Sequence, residues 1–188
     1  MNRIHRWLCR SAKWDHEVKE NVLPWALHGV ELGQNILEVG PGPGLTTDVL
    51  RARVAHLTAI EIDSALAQSL RQRMQNTNVN VVEGDATAMP FENGQFSAAV
   101  SFTMLHHVPS PKLQDKLLQD VYRVLKPGGI FVGVDSLQSF AMRILHIGDT
   151  LVPIDPERFP ARLAGAGFQD VMVETGNRRF RFQARKPD

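Results

Sequence analysis

A chain of 188 residues that is 43% hydrophobic and 22% charged has the make-up of a folded globular domain, with length enough to bury one sizeable core. Its 21 basic and 20 acidic side chains leave a formal net charge of +1, which argues against nucleic acid or a membrane surface as an obligatory partner. A single cysteine, Cys9, rules out an intrachain disulfide, no apolar run approaches the ~20 residues of a membrane span, and no apolar secretory block opens the chain; the expected location is the cytoplasm.

Residues 1–14 are basic and aromatic, with Arg3, His5, Arg6, Trp7, Arg10, Lys13 and Trp14. They read as a tail or short helix whose tryptophans pack on the domain, or as a lid over the substrate. Asp15 is a candidate cap for a helix carrying Val18, Val22, Ala26 and Leu27 at helical spacing, kinked at Pro24. Residues 1–30 are thus expected to form an N-terminal helical cap. Ile36, Leu37 and Val39 are a short apolar run, as in a buried parallel strand. Gly40, Gly42 and Gly44 follow at alternate positions, and residues 45–50 can start a helix. Strand, glycine turn and helix form the first unit of a doubly wound nucleotide-binding fold.

The dinucleotide fingerprint G-x-G-x-x-G would place its third glycine at position 45, which is Leu45. The observed G-x-G-x-G, with Glu38 two residues ahead of it, resembles motif I of the class I S-adenosylmethionine-dependent methyltransferases, in particular the small Rossmann-like, type 11-like group. In such a site a carboxylate at Glu38 suits a ligand carrying an ammonium and a sulfonium, whereas beside a pyrophosphate it would be repulsive. A strand-to-helix turn without a ligand is the bland alternative.

The second strand is expected over 54–60, ending in Glu61-Ile62-Asp63. An acidic residue about 20 positions beyond the glycines, at the tip of the second strand, accepts hydrogen bonds from ribose hydroxyls. Glu61 fits that position, with Ile62 beside it, and Asp63 reads as the cap of a helix bearing Leu66 and Leu70. A third strand over 78–82 leads to Asp85-Ala86, which the resemblance assigns to the adenine: the Asp85 carboxylate to the exocyclic amine, the Ala86 N–H to a ring nitrogen. The fourth strand, 96–102, is apolar, and the resemblance places a backbone carbonyl near Ser101 against the methionine end of the cofactor. Ser-Phe-Thr-Met at 101–104 is not the Asn/Asp-Pro-Pro-aromatic run of enzymes that methylate nucleobase amines.

Ser110-Pro111 starts a helix with Leu113, Leu117, Val121 and Val124 on its buried face. Leu-Lys-Pro-Gly-Gly at 125–129, another mark of the family, stops it before a fifth strand over 130–134 that ends at Asp135. Residues 136–154 form a short substrate-side insertion, a lid or short helix rather than a second domain. Asp155-Pro156 is a cap signal for the last helix. Ala-Gly-Phe at 166–168 precedes two strands, 171–175 and 179–184, joined as a hairpin through Gly176-Asn177.

The expected fold is therefore a single α/β domain: a Rossmann-like, doubly wound seven-stranded sheet, mostly parallel with an antiparallel last strand, and helices on both faces. The resemblance implies S-adenosyl-L-methionine as cofactor, held by Glu38, Gly40, Gly42, Gly44, Glu61, Ile62, Asp85, Ala86 and Ser101, and methyl transfer to a small-molecule acceptor by in-line displacement. His106, His107, Asp135, His146 and Asp149 are candidate bases, needed only if the acceptor carries a proton at neutral pH. His146 and Asp149 share a face if the insertion is helical. No Cys/His or His-x-x-x-His spacing suggests a metal. A cofactor-binding partner protein without catalysis of its own is the alternative, and a nicotinamide oxidoreductase is opposed by Leu45. The chain is expected to act as a monomer or homodimer.

Overall fold

The computed structural model describes residues 11–188; the reading of the extreme N-terminus lies outside them. Helix α1 (Ala12–Glu17) begins at Ser11, whose Oγ accepts from the Trp14 N–H at 3.2 Å. Ser11, not Asp15, is the cap, because it stands three residues ahead of an open amide; Asp15 instead meets the Lys19 ammonium at 2.8 Å. One π-helical turn (Val18–Val22) separates α1 from α2 (Leu23–Ala26). Pro24 follows the π turn directly, where the Leu23 N–H donates to the Val18 carbonyl five residues back.

Seven strands then build one sheet: β1 (Asn35–Val39), β2 (His56–Glu61), β3 (Val79–Glu83), β4 (Phe96–Phe102), β5 (Leu125–Ser136), β6 (Gln169–Thr175) and β7 (Arg179–Arg185). Their order is β3-β2-β1-β4-β5-β7-β6. The first five run parallel; β7 is antiparallel to β5 and β6 antiparallel to β7. This is the Rossmann-like sheet with an antiparallel end. Helices α3 (Leu45–Leu50), α4 (Ser64–Arg73), α5 (Pro111–Val124), α6 (Phe140–Leu145) and α7 (Phe159–Gly165) complete the chain.

Alternation along each strand sends side chains into two cores. On β1, Ile36 joins Leu23, Leu50, Leu57 and Leu70 on one face, while Leu37 and Val39 join Leu117, Val121 and Phe131 on the other. All of these are nearly or fully buried, each contributing roughly 1.5–3 kcal/mol relative to exposure. Asp63 caps α4 by accepting from Ala65 and Leu66 N–H, both at 3.1 Å, and Ser110 caps α5 by accepting from Leu113 N–H at 3.2 Å.

Strand ends shift by one or two residues from the sequence reading, and two boundaries differ in kind. Strand β5 starts at Leu125, opposite Phe96, and the chain bulges through Lys126–Gly129 before Ile130 meets Ala98. A Cβ on Gly129 would lie 2.8 Å from the Lys126 carbonyl oxygen, so only glycine closes that bulge. Helix α7 begins at Phe159 without a side-chain cap; the Asp155 carboxylate accepts from the Glu157 N–H at 3.0 Å and shapes the turn ahead of it. Among the described residues, no helix is long and apolar enough to cross a membrane.

Candidate cofactor and acceptor site

The carboxyl ends of the parallel strands open onto a cavity of about 300 Å³, whose wall includes Gly40, Gly42, Glu61, Ile62, Asp85 and Ala86. Open α/β sheets bind ligands at this edge, where strand order reverses on either side of the first strand. Gly42 sits at φ 55°, and a Cβ built on it meets no atom within 4 Å. The turn therefore needs glycine for its backbone, and the space beside it is left for a ligand rather than for packing. Gly44 is not on the wall; it is the left-handed residue that starts α3.

Glu61 ties the turn to the second strand. Its Oε2 accepts the Gly42 N–H at 2.9 Å and its Oε1 accepts the Asp63 N–H at 3.0 Å. Two backbone donors fix the carboxylate while each oxygen retains a second lone pair. Ile62, beside it, is 69% exposed on the cavity wall, an apolar side chain held against open space. The Asp85 carboxylate is anchored by the Thr87 N–H at 2.7 Å.

Besides Gly44, two of the expected cofactor residues lie off the wall. Glu38 is buried and accepts from the hydroxyls of Thr46 and Thr47, the latter at 2.6 Å. It clamps the glycine turn to α3 from beneath, because its strand position points it into the sheet–helix layer rather than at the crevice. Burial pushes its carboxyl up to about 7, with the Thr46 and Thr47 bonds opposing that rise and the charges of Asp48 and Glu61 adding to it. Ser101 is likewise buried, still paired on both sides to Val39 and Gly133. Phe102, Thr103 and Met104, beyond the end of the pairing with β1, supply the cavity wall instead.

A second cavity, about 790 Å³, adjoins the first; Trp14 and Thr103 line both. Thr103 has φ 53°, a left-handed conformation that a β-branched residue rarely takes. Its N–H donates to the Val134 carbonyl at 2.7 Å. Strain of this kind is held only where surrounding structure imposes it, and it gathers at functional sites. Nothing in the sequence marked Thr103; the aromatic N-terminal run did mark Trp14.

His106, Met142 and His146 stand on the wall of the larger cavity and His107 on that of the smaller. His106 and His107 lie in the 3-10 turn Leu105–His107, and His146 caps the C-terminus of α6. The three rings touch, with centroids 4.3, 5.2 and 5.1 Å apart. Asp135, expected at the crevice, is fully buried behind His106: its Oδ1 meets His106 Nδ1 at 2.5 Å and also accepts the Ser136 N–H at 2.6 Å. It orients a histidine and lines neither cavity. Helix α6 ends at Leu145, so His146 and Asp149 do not share a helical face. Instead the Asp149 N–H donates to the His146 carbonyl at 2.8 Å, and the Asp149 carboxylate accepts the Thr150 N–H at 2.9 Å.

Comparison with known proteins accords with this geometry. The methyltransferase domain family matches residues 37–133, just over half of the chain. The chain belongs to that family, and its cofactor is S-adenosylmethionine. The chain is 27% identical over 168 residues to 2-methyl-6-phytyl-1,4-hydroquinone methyltransferase 1, chloroplastic, of Oryza sativa subsp. japonica, covering 86% of this chain and 48% of that protein. To the ubiquinone biosynthesis O-methyltransferase of Azotobacter vinelandii it is 31% identical over 134 residues, 66% of this chain and 55% of that protein. The chain thus spans about half the length of the curated relatives it matches. Its fold is also that of Haemonchus contortus phosphoethanolamine N-methyltransferase 2, solved with S-adenosyl-L-methionine: TM-score 0.73 at 16% identity, over all of this chain and 61% of that one.

Proposed function

We propose that this chain transfers a methyl group from S-adenosylmethionine to a small, largely apolar acceptor, and that the acceptor presents a ring hydroxyl of the hydroquinone type. The observation that carries the reading is the junction at Thr103. There a cavity bounded by the glycine turn, Glu61 and Asp85 meets a larger one whose wall combines Trp14, Trp25, Leu137, Met142 and Leu145 with two histidines and the charged Lys13, Glu17, Arg178 and Arg179. A donor site and an acceptor site must share such a wall for in-line transfer. Two relatives named for hydroquinone and ubiquinone chemistry support the acceptor class.

In this reading Gly42 leaves room for the cofactor, Gly40 makes way for the Met104 side chain on the wall, and the Glu61 carboxylate accepts from the cofactor's ribose hydroxyls. Ile62 covers one face of the adenine while Asp85 and Ala86 read its edge. When bound, S-adenosylmethionine supplies a methyl already activated on a sulfonium. The residues around Thr103 need only align the acceptor and exclude water. A hydroxyl must shed its proton to react well near neutrality, and the histidine cluster lies beside the space where that proton leaves.

Calorimetry with S-adenosylhomocysteine tests the donor site. Gly42→Val, which puts a branched side chain into the open space at positive φ, and Glu61→Ala, which frees two backbone donors, should each weaken binding by about 100-fold, roughly 2.7 kcal/mol. Unchanged affinity in both would sink the assignment. Methyl transfer to reduced benzoquinols by the purified chain tests the acceptor class, and turnover would also dispose of the reading as a non-catalytic partner.

A further inference from the structure

We propose that His106, His107 and His146 form a binding site for a divalent transition-metal ion of the zinc class, with an open coordination position facing the larger cavity. Each residue offers one ligand atom, and these atoms all lie within 4.8 Å of one another. Three nitrogens around a tetrahedral ion at 2.0–2.1 Å stand about 3.4 Å apart. Closing the remaining gap takes side-chain movements on the order of 1 Å.

The surrounding hydrogen bonds argue for a ligand set rather than for three stacked rings. A carbonyl oxygen can only accept, so the 2.7 Å contact between His146 Nδ1 and the Met142 carbonyl makes Nδ1 the protonated nitrogen. The Asp135 carboxylate fixes His106 in the same way, through Nδ1 at 2.5 Å. With Nδ1 donating, Nε2 is the nitrogen of each ring that can offer a lone pair to an ion. Metal-bound histidines show this arrangement, one nitrogen donating to a carboxylate or carbonyl and the other turned to the ion. Asp135 is itself held, accepting also from the backbone N–H groups of His106 at 3.2 Å and Ser136 at 2.6 Å.

The backbone of the site is braced as well. The Gln114 side-chain amide donates to the Leu105 carbonyl at 3.1 Å and the Val152 carbonyl at 2.8 Å, and the Val152 N–H donates to the His106 carbonyl at 2.8 Å. Helix α5, the 3-10 turn and the insertion are thereby locked to one another around the imidazoles. An all-imidazole set favours zinc, cobalt, nickel or copper over magnesium and calcium, which take oxygen ligands. Three protein ligands leave a position for a hydroxyl or water, whose pKa an ion of this kind brings near neutrality. That last use depends on the larger cavity being the acceptor site; the ion site does not.

The test uses the full chain, stripped of metal and then titrated with zinc chloride against a chromophoric chelator, with cobalt(II) as a spectroscopic probe. The wild type should take up one equivalent and give the intense visible bands of tetrahedral cobalt. H146A and H107A should lose more than about 100-fold in zinc affinity, and D135N, which acts through His106, roughly 10–100-fold. S-adenosylhomocysteine affinity, measured on H146A and D135N, whose side chains do not line the smaller cavity, reports folding and the donor site independently; H107A, on that cavity's wall, is read for zinc alone. Stoichiometric uptake lost in H146A and H107A, with S-adenosylhomocysteine still bound by H146A, establishes the site. A wild type that binds S-adenosylhomocysteine but no zinc overturns the ion site and leaves the methyltransferase reading intact. Uptake unchanged in H146A and H107A also overturns it. Loss of S-adenosylhomocysteine binding by a folded wild type with zinc bound would overturn the donor assignment alone.

Discussion

Glu38, one residue before the end of β1, and Glu61, at the end of β2, carry the same functional group into opposite duties. Glu61 is held by two backbone N–H groups and faces the cavity. Glu38 turns away, with only threonine hydroxyls to replace the water it has lost. Its carboxyl is raised from the ordinary 4.5 to about 7 by burial, so between those values the native chain binds more protons than the unfolded one. Stability from this group is therefore fully present below pH 4.5 and is lost as pH rises through 7. At about 1.4 kcal/mol per tenfold in proton affinity, ionisation costs the fold roughly 3 kcal/mol. Glu38→Gln keeps an acceptor and offers a donor to the two threonines but cannot ionise. Urea unfolding at pH 5 and pH 8 should show wild-type stability falling by roughly 2–3 kcal/mol more than that of E38Q. Parallel slopes would mean that Glu38 stays charged throughout.

At the level of elements, the sheet is tightest where β5 is flanked by β4 and the antiparallel β7. Gly133 pairs with Ser101 on one side and Phe182 on the other. A Cβ there would overlap the Ser101 carbonyl and come 2.6 Å from Phe182 Cζ. Gly133→Ala should cost about 1–3 kcal/mol by overpacking. Gly165→Ala, at the exposed end of α7 with nothing within 4 Å, should instead stabilise by up to about 1 kcal/mol. Denaturant midpoints of the two variants read both effects, and a neutral G133A would mean that the strands relax apart at little cost. The hairpin of β6 and β7 was legible from Gly176-Asn177 between two alternating runs. The early start of β5 was not, since Lys-Pro-Gly-Gly reads as a helix stop and only the pairing of Leu125 with Phe96 makes it a bulge.

Across the whole molecule, the N-terminal cap is tied to the far end of the chain. Arg179, on β7, donates to Glu17 Oε1 at 2.7 Å and lies 5.3 Å from the Trp14 ring centroid. Arg181 donates to the Trp25 carbonyl at 2.6 Å. The Glu17 carboxyl sits below its usual range, chiefly through the Arg179 hydrogen bond. Trp14, Val18 and Val22, held in this way, roof the smaller cavity. An ion pair and a cation–π contact, each of about 0.5–1 kcal/mol, predict that Arg179→Ala weakens S-adenosylhomocysteine binding about 3–10-fold while global stability falls by no more than about 2 kcal/mol. Calorimetry and urea unfolding separate the two; unchanged affinity would mean that the cap does not bear on the cofactor.

By itself the sequence determined the parallel half of the sheet, the glycine turn, Glu61 at the second strand tip and the caps Asp63 and Ser110. These depend on residue types and spacings within a strand or a turn, where chain geometry leaves little choice. Tertiary structure alone decided that Glu38 and Ser101 face the core, that Asp135 sits behind His106, and that His146 joins the pair at 106–107. The direction of a strand side chain depends on which layer packs against it, and the histidines meet only because the insertion folds back over the end of β4. Spacing along the chain carries neither fact.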